Sequence, residues 1–355
     1  MYRPFFFTAL VLSLSCFLAC RPGPTTTQQV ITLGKNKQLV LLDSTQAATF
    51  IIKDDMEHFF ENISSLDMMI QMKKNYQPGV TRNKILHDYK DFLQWDVSNF
   101  SETEEALLHR VWQQVYTDCE ALKKGLIPDT ILLLKTPAIH YGPGVFYTRE
   151  KGIVIPANEL EKANEPELYR VMLHELFHIW SRLHPEKRQA LYQLVGFHKL
   201  PVSTQELIMP DALRQRILLN PDGIDYSYRI QLKKEDGSTL EAIPLIQSNR
   251  PTYSSDQSAF FQYLSFQLFP IEKQQNGQYR VISQSNGDPI ENLISSTNFL
   301  EIIGDNTDYI IHPDEILADN FVLWVLNRLK KEQKPKERSH AGKNLLDQME
   351  KILLK

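Results

Sequence analysis

The chain has 355 residues, of which 42% are hydrophobic and 23% are charged. This length and apolar content allow one large domain or two modest ones with a real core, which excludes a disordered or fibrous protein. The formal net charge is only -4, and the lysines and arginines are spread along the chain. Nucleic acid is therefore not expected as a partner.

The first twenty residues differ from the rest of the chain. They contain one basic residue, Arg3, then an apolar run from Phe5 to Ala19, then Cys20. The run is too short to be interpreted as a membrane-spanning helix. It resembles a bacterial lipoprotein signal, which implies a signal peptide over residues 1–19, a lipid on Cys20 and a lipid-anchored location at the bacterial cell envelope. An ordinary signal peptide or an anchoring helix is the alternative.

The chain has only three cysteines, which limits the disulfides that it can form. If Cys16 is removed with the signal and Cys20 carries lipid, Cys119 is the one cysteine of the folded part, and an intrachain disulfide is excluded. Cys119 lies in a helical pattern and is predicted to be a packed apolar residue rather than a nucleophile.

The chain after the signal is predicted to begin with a tether and a helical part. Residues 20–45 are interpreted as a tether, because the stretch after Cys20 is rich in Pro, Thr and Gln. Over residues 46–127 the apolar residues recur at helical spacing, which predicts several packed helices. One helix start is marked by Ser101 and Glu104, which match a capping box.

A small sheet and a helix are predicted next. Three short runs rich in β-branched and aromatic residues predict a small antiparallel sheet, at 131–134, 145–148 and 153–155. The helix that follows has Asn164 as a possible N-cap and Pro166 in its first turn, and Pro185 stops it after His184.

The last third of the chain combines β signals with two helical segments. Residues 213–311 are predicted to form a β-rich insertion, with hairpin turns at Asp236-Gly237 and Asn276-Gly277. An amphipathic helix begins near Pro313 and runs to about Leu329. Residues 332–355, rich in lysine, are interpreted as a charged, solvated helical tail.

The chemistry is concentrated in VMLHELFHIW, residues 171–180. His174 and His178 are one helical turn apart, so both imidazoles project from one face and can bind one metal ion, with Glu175 beside the open coordination position. Two histidines and a glutamate on an apolar helix need a compensating partner, which a metal supplies. The alternative is a pair of core or surface histidines without a metal.

The HELFH sequence resembles the defining motif of the zincin metallopeptidases. The resemblance implies a Zn2+ cofactor held by His174 and His178, with Glu175 as the general base that activates a zinc-held water for attack on a peptide carbonyl. It also implies an α+β zincin-like domain, here over residues 128–331.

Two residues compete as the third zinc ligand. Glu315, in HPDEILADNF (312–321), resembles the glutamate that completes the site in thermolysin-like peptidases, the gluzincins. Asp319 then resembles the aspartate that orients the first motif histidine. These carboxylates could instead be ordinary acidic residues near a helix start.

The second candidate ligand is His184, ten positions after His174, which resembles the metzincin signature. The glycine of that signature is replaced here by Ser181, so the sharp turn it needs is less accessible. Met209 matches the methionine turn of that family poorly.

Substrate contacts are less well defined by the sequence. The GIVIP segment (152–156) is interpreted as a sheet edge that could bind peptide by β-addition, or could merely pack. Tyr309 and His312 are the preferred candidates for stabilising an oxyanion, because they precede Glu315. The remaining candidates are Tyr226, Tyr228 and His140.

Together these patterns predict a zinc-dependent metallopeptidase that acts on a peptide or protein substrate and is attached to a membrane through its N-terminal lipid. Two alternatives remain open. One is a zinc hydrolase acting on a non-peptide amide, and the other is a non-catalytic zinc-binding envelope lipoprotein. A structural zinc site usually has four closed, cysteine-rich ligands, which this chain does not offer.

Overall fold

The computed structural model describes residues 29–162, 164–257, 259–331 and 338–355. Over these residues the chain combines helices with two five-stranded sheets, which confirms the α+β class. The predicted signal, Cys16, Cys20, the start of the predicted tether and residues 332–337 lie outside this part. Within it, no helix has both the length and the apolar sequence needed to cross a membrane.

The elements have the following bounds. The first sheet contains β1 (Gln29–Gly34), β2 (Lys37–Leu41), β3 (Thr130–Thr136), β4 (Tyr147–Arg149) and β5 (Gly152–Pro156). The second contains β6 (Phe197–Lys199), β7 (Tyr228–Lys233), β8 (Thr239–Ser248), β9 (Leu264–Lys273) and β10 (Tyr279–Val281). The helices are α1 (Ser44–Ile51), α2 (Phe59–Asn62), α3 (Ser65–Met72), α4 (Arg82–Trp95), α5 (Glu102–Leu122), α6 (Ala157–Lys162), α7 (Glu165–Leu183), α8 (Pro185–Leu194), α9 (Asp211–Arg214), α10 (Phe299–Ile303), α11 (Pro313–Arg328) and α12 (His340–Leu353).

The first sheet is mixed, so the prediction of an antiparallel sheet is wrong. Its strand order is β1-β2-β3-β5-β4, in which β2, β3 and β5 run parallel while β1 and β4 run antiparallel to their neighbours. The chain crosses from β3 to the far edge, forms β4 there and returns through a tight turn at Glu150, which has φ +54°. Local residue patterns identify strands but do not encode this direction.

The GIVIP segment is not a sheet edge. It forms β5, which lies between β3 and β4, and all five of its residues are buried. The edge next to the motif helix is β4. A peptide that extends this sheet must therefore pair with β4 rather than with GIVIP.

The predicted tether contains regular structure from residue 29 onward. β1 and β2 form an antiparallel hairpin, and β2 continues the sheet by pairing with β3. Leu39 and Leu41 of β2 are buried in the main core. A tether reaching residue 45 is therefore wrong, because the apolar run 39–42 supplies a core strand.

The first sheet lies between two helical layers, since alternate strand residues face opposite sides. Leu39, Ile131 and Ile153 pack with residues of α5, α7 and α11. Val40 and Leu134 pack on the other side with α1 and α4. The predicted helical segment 46–127 is confirmed by α1 to α5.

Two local predictions within α5 are confirmed. The backbone N–H of Ser101 donates to Oε2 of Glu104 at 2.6 Å, which is half of the predicted capping box. Cys119 is fully buried in the core, as expected for a packed apolar residue.

The β-rich insertion contains the predicted hairpins. β7 and β8 are joined through Asp236-Gly237, and β9 and β10 through Asn276-Gly277. Gly237 has φ +84° and Gly277 has φ +85°, a conformation that glycine adopts without a steric penalty.

The C-terminal segment is not a solvated tail over its described part. Helix α12 packs against α8 and α11, and Trp324 of α11 donates to Oε2 of Glu350 at 3.0 Å. Its apolar stripe is buried and consists of Leu345, Leu346, Met349 and Leu353. The apolar stripe is hard to recognise in the sequence, because many lysines and other charged residues occupy the opposite face of the helix.

Candidate metal centre

The HELFH motif lies on α7, which starts and ends where the sequence predicts. Asn164 caps the helix by accepting from the backbone N–H of Glu167 at 2.8 Å, and Pro166 lies in the first turn. His184 follows the last helical residue, and Pro185 begins α8. The motif is thereby held on a rigid helix that crosses α11 in the core.

Three predicted ligands converge between α7 and α11. Nε2 of His174 lies 3.0 Å from Oε2 of Glu315, and Nε2 of His178 lies 3.4 Å from the same oxygen. The three ligand atoms all lie within 4.8 Å of one another. Both motif histidines therefore direct the same ring nitrogen toward the Glu315 carboxylate.

Two polar atoms at this point are buried without a hydrogen-bond partner, namely Nε2 of His178 and Oε2 of Glu175. An unsatisfied buried polar atom costs about 1–3 kcal/mol, so such atoms in a native protein call for a ligand. Two imidazole nitrogens and one carboxylate form the donor set of catalytic zinc sites. The residues present therefore fit a zinc ion.

The second ring nitrogen of each histidine is held by a carboxylate from α11. Nδ1 of His174 donates to Oδ1 of Asp319 at 3.0 Å, and Nδ1 of His178 donates to Oδ2 of Asp314 at 2.7 Å. Asp319 lies where the sequence analysis expects it. Asp314 is an additional partner that the sequence analysis did not single out.

Asp314 is itself fixed by two hydroxyls. The hydroxyls of Ser181 and Tyr192 both donate to Oδ1 of Asp314 at 2.9 Å. Its position on α11 is set by the helix start, where His312 acts as the N-cap and its Nδ1 accepts from the backbone N–H of Asp314 at 3.1 Å.

The loop at residues 220–222 adds a part of the site that the sequence analysis missed. Asn220 donates to Oε1 of Glu315 at 2.6 Å. Oδ1 of Asp222 accepts from both the backbone N–H and the hydroxyl of Thr148 on β4, each at 2.6 Å. The sequence NPDG at this point carries only turn signals, and nothing local relates it to α7.

Asp222 also belongs to a second group of possible metal ligands. One ligand atom from each of Glu175, His178 and Asp222 lies within 4.8 Å of the other two. Asp222 is 8% exposed, so its carboxylate lies almost buried beside the motif.

Without a metal ion, protons are shared between the histidines and the carboxylates. Burial lowers the pKa of His174, but its bonds to Asp319 and Glu315 outweigh burial and raise that pKa to about 10. His178 also has a pKa well above its ordinary value, because Asp222, Glu315 and Asp314 outweigh burial. The histidines in turn hold the pKa of Glu315 well below its usual range, against the effect of its burial.

The remaining two carboxylates have raised pKa values. Burial, with a contribution from the nearby Asp222 charge, raises the pKa of Glu175 to about 8. Burial likewise raises the pKa of Asp222 to about 6. A carboxyl with a pKa near neutrality can both accept and return a proton, which is the property required of a general base and acid.

A cleft of about 470 Å³ opens onto two of the candidate metal ligands, His174 and Glu315. His174, Glu175, Asp222 and Glu315 lie at its base. Its walls include apolar side chains from the loop before β4, from α7, from α11 and from residue 261: Val145, Phe146, Val171, Phe261, Val322 and Leu323.

Of the two preferred oxyanion candidates, only Tyr309 lines this cleft. Its ring stacks on that of His174 with 6.2 Å between centroids, and it is 39% exposed. His312 is instead a buried helix cap, packed closely over Gly223. Its imidazole therefore caps the start of α11 and does not line the cleft.

The other sequence candidates lie elsewhere. His184 donates from Nδ1 to the carbonyl of Trp180 at 2.7 Å and stacks on that ring, apart from the metal-ligand group. His140 is buried in a hydrogen-bonded pair with Asp96. None of the remaining candidates lines the cleft, namely Tyr226, Tyr228 and Met209.

The chain matches no protein-family description, no curated protein and no solved structure.

Proposed function

We propose that this chain is a zinc-dependent metallopeptidase of the zincin type, in its thermolysin-like form. The observation that carries the proposal is the convergence of His174, His178 and Glu315 beside a buried, unpartnered Glu175 carboxylate oxygen. Each of the three ligands is oriented by a further hydrogen bond: His174 donates to Asp319, His178 donates to Asp314, and Glu315 accepts from Asn220.

A zinc ion bound by these ligands would lower the pKa of a water molecule and polarise a substrate carbonyl. His174, His178 and Glu315 would hold the ion. Asp319 and Asp314 keep the Nδ1 proton on each imidazole, so that each Nε2 lone pair would be free to bind the ion.

Glu175 is the group that would move the proton. Its Oε2 is buried and has no hydrogen-bond partner, and Glu175 lines the cleft together with His174 and Asp222. It would accept the proton of the attacking water and return it to the departing amine. Tyr309, with its hydroxyl-bearing ring stacked beside His174, would donate to the developing oxyanion.

A peptide is the substrate class that suits the edge strand. The N–H of Thr148 points outward from β4, since it donates to Asp222. Phe146 lies one residue before β4, and continuing the two-residue alternation of the strand back to it would place its amide on the same outward side. Phe146 lines the cleft, so an extended peptide can pair with its main chain beside the metal ligands.

A non-catalytic metal site is the second candidate, and one observation favours it. One ligand atom of Asp222 lies within 4.8 Å of those of His178 and Glu175, so its carboxylate could supply a fourth ligand and close the coordination sphere as in structural sites. The peptidase needs Glu175 as its catalytic base, whereas a structural zinc site does not require Glu175.

The experiment is therefore a peptide-library digestion with the zinc-loaded protein and with Glu175→Gln. Metallopeptidase activity requires cleavage by the unmodified protein and its loss in a variant that keeps one zinc per chain. Zinc in both proteins and cleavage by neither would favour the non-catalytic site. Release of a non-peptide amide alone would indicate the other hydrolase class.

We further propose attachment to the bacterial envelope through a lipid on Cys20. The support is the sequence of residues 1–20. Mass spectrometry of the mature N terminus tests it, because lipidated Cys20 has a characteristic mass. A mature chain that starts elsewhere without lipid would contradict it.

A further inference from the structure

We propose that the enzyme is an aminopeptidase and that Asp222 binds the free α-amino group of the substrate. The inference rests on the proposed peptidase function and adds to it the substrate class and the residue that selects it. The cleft is closed at Thr148, where the chain entering β4 becomes buried.

The chain becomes progressively buried as it enters β4. Gly144 is exposed, Val145 and Phe146 are half-buried, and all three line the cleft. The following residues, 147–150, are buried. A peptide paired to the outer edge can therefore reach Phe146 but cannot continue past Thr148.

Two features close the edge at Thr148. Asp222 accepts hydrogen bonds from the outward N–H and the hydroxyl of Thr148, each at 2.6 Å. Arg182, which is buried, donates to the Thr148 hydroxyl at 3.0 Å and to the carbonyl of Glu150 at 3.0 Å. The Thr148 N–H and the Glu150 carbonyl, two main-chain groups that a longer substrate would need, are therefore already bonded.

The segment at residues 53–57 reinforces this closure. Arg149 donates to the carbonyl of Lys53 at 2.7 Å, and Oε1 of Glu150 accepts from the N–H of Asp55 at 3.0 Å. Arg182 also forms an ion pair with Glu57. These contacts cover the edge beyond Thr148.

The charge at the closed end decides which end of the substrate fits. A peptide antiparallel to β4 would bring its amino end to Thr148, whereas a parallel peptide would bring its carboxyl end there. Asp222 attracts an ammonium group and repels a carboxylate. Among the described residues, the Asp222 carboxylate accepts two hydrogen bonds, both through Oδ1. Oδ2 can therefore accept a hydrogen bond from the substrate amine.

The short distance from Asp222 to the motif sets the cleavage position. Its ligand oxygen lies within 4.8 Å of the ligand atoms of His178 and Glu175. A charge-assisted hydrogen bond to an amine spans about 2.8 Å, and one extended residue spans about 3.4 Å. The first peptide bond of the substrate, rather than a later one, therefore falls at the metal ligands.

The test uses one apolar peptide with an amidated C terminus, synthesised with a free amine and with an acetylated amine. The zinc-loaded protein should release single residues stepwise from the free-amine form and cleave the acetylated form about 10- to 150-fold more slowly, as expected for loss of one charged hydrogen bond. Products are identified by mass spectrometry. Calorimetric binding to Glu175→Gln should show the same preference without turnover.

Variants assign the preference to one carboxylate. In Asp222→Asn, the cleavage rate of the free-amine peptide divided by that of the acetylated peptide should fall to near one. Zinc content is measured on the same preparation. Asp308→Asn is the matched control, because Asp308 is exposed next to Tyr309 but does not line the cleft, and its ratio should stay unchanged. If Asp222→Asn does not fold, the two peptides on the unmodified protein still decide whether the substrate needs a free amine, which is the aminopeptidase part of the inference.

The possible failures are distinguishable. Cleavage of internal bonds at equal rates in both peptides would overturn the aminopeptidase inference and leave the metallopeptidase standing. An unchanged ratio in folded, zinc-loaded Asp222→Asn would overturn the role of Asp222. No cleavage of either peptide by the zinc-loaded protein, with equal binding of both, would overturn the proposed function and this inference together.

Discussion

The carboxylate of Asp314 lies 2.7 Å from Nδ1 of His178, on the side of the ring opposite to Glu315. Two adjacent residues of α11 thus contact the two nitrogens of one imidazole. Asp314 fixes the Nδ1 proton, and Nε2 is left to face the metal-ligand group. The start of α11 therefore contacts His178 through Asp314 as well as through the proposed third ligand, Glu315.

This relationship predicts the effect of Asp314→Asn. An amide keeps the shape of the carboxylate but cannot stabilise the imidazole in the same way, so zinc affinity should fall about 10- to 100-fold. Competition with a chromophoric chelator measures the affinity. Asp308→Asn, an exposed aspartate, serves as the control. An unchanged zinc affinity in Asp314→Asn would show that the contact does not tune the ligand.

Glu175→Gln separates metal binding from catalysis. Glutamine has the same size but cannot accept the proton, so kcat should fall by about 10²- to 10⁴-fold. Zinc content should stay near one per chain, because Glu175 is not among the proposed ligands. Elemental analysis and peptide hydrolysis are measured on the same preparation. Full activity in the variant would exclude Glu175 as the base.

The identity of the third ligand is tested by a pair of substitutions. Glu315→Ala should lose zinc, because Glu315 lies against both motif histidines. His184→Ala should retain it, because His184 caps α7 and bonds to Trp180. Zinc content by elemental analysis distinguishes the two. Loss of zinc with His184→Ala alone would support the metzincin-like alternative instead.

The parts of the site that the sequence predicts are those set by helical periodicity. His174, Glu175 and His178 occupy one turn of α7, and Glu315 and Asp319 occupy one turn of α11. Within a helix the spacing of residues fixes which side chains share a face. The capping residues also fix where each helix begins.

The parts that the sequence does not predict depend on contacts between distant segments. Asp222 reaches Thr148 across 74 positions, from a loop whose own sequence indicates only a turn. Asp314 is one of three acidic residues near a helix start, and only its position opposite His178 distinguishes it. Strand direction in the first sheet has the same origin, since β3 and β5 become neighbours through the path of β4.

Removal of the metal should expose a distinctive pH dependence. In the metal-free protein the pKa of His174 is raised from 6.5 to about 10, against the effect of its burial, by Asp319 and Glu315. Between these values the folded state holds a proton that the unfolded state has released, so the free energy of unfolding falls as pH rises. Glu175 acts in the same direction between 4.5 and about 8, because burial raises its pKa.

The expected measurement is a melting temperature that decreases from about pH 7 to about pH 9 in chelator, by linkage of unfolding to proton release. Zinc must displace the same protons, so its affinity should rise about tenfold per pH unit for each proton displaced. Calorimetry in buffers of different ionisation enthalpy counts those protons. A melting temperature that rises over this range, or zinc binding without proton release, would contradict the shared-proton description.

The last prediction concerns α12, which the sequence suggests to be a solvated tail but which packs in the core. Met349 is 0% exposed, so Met349→Ala should lower the free energy of unfolding by about 2–5 kcal/mol through lost burial and the cavity left behind. Lys351→Ala is the matched control on the exposed face of the same helix, and its effect should stay within about 0.5 kcal/mol. Urea denaturation of both variants gives the comparison. Equal stability in the two would mean that α12 does not fold cooperatively with α8 and α11.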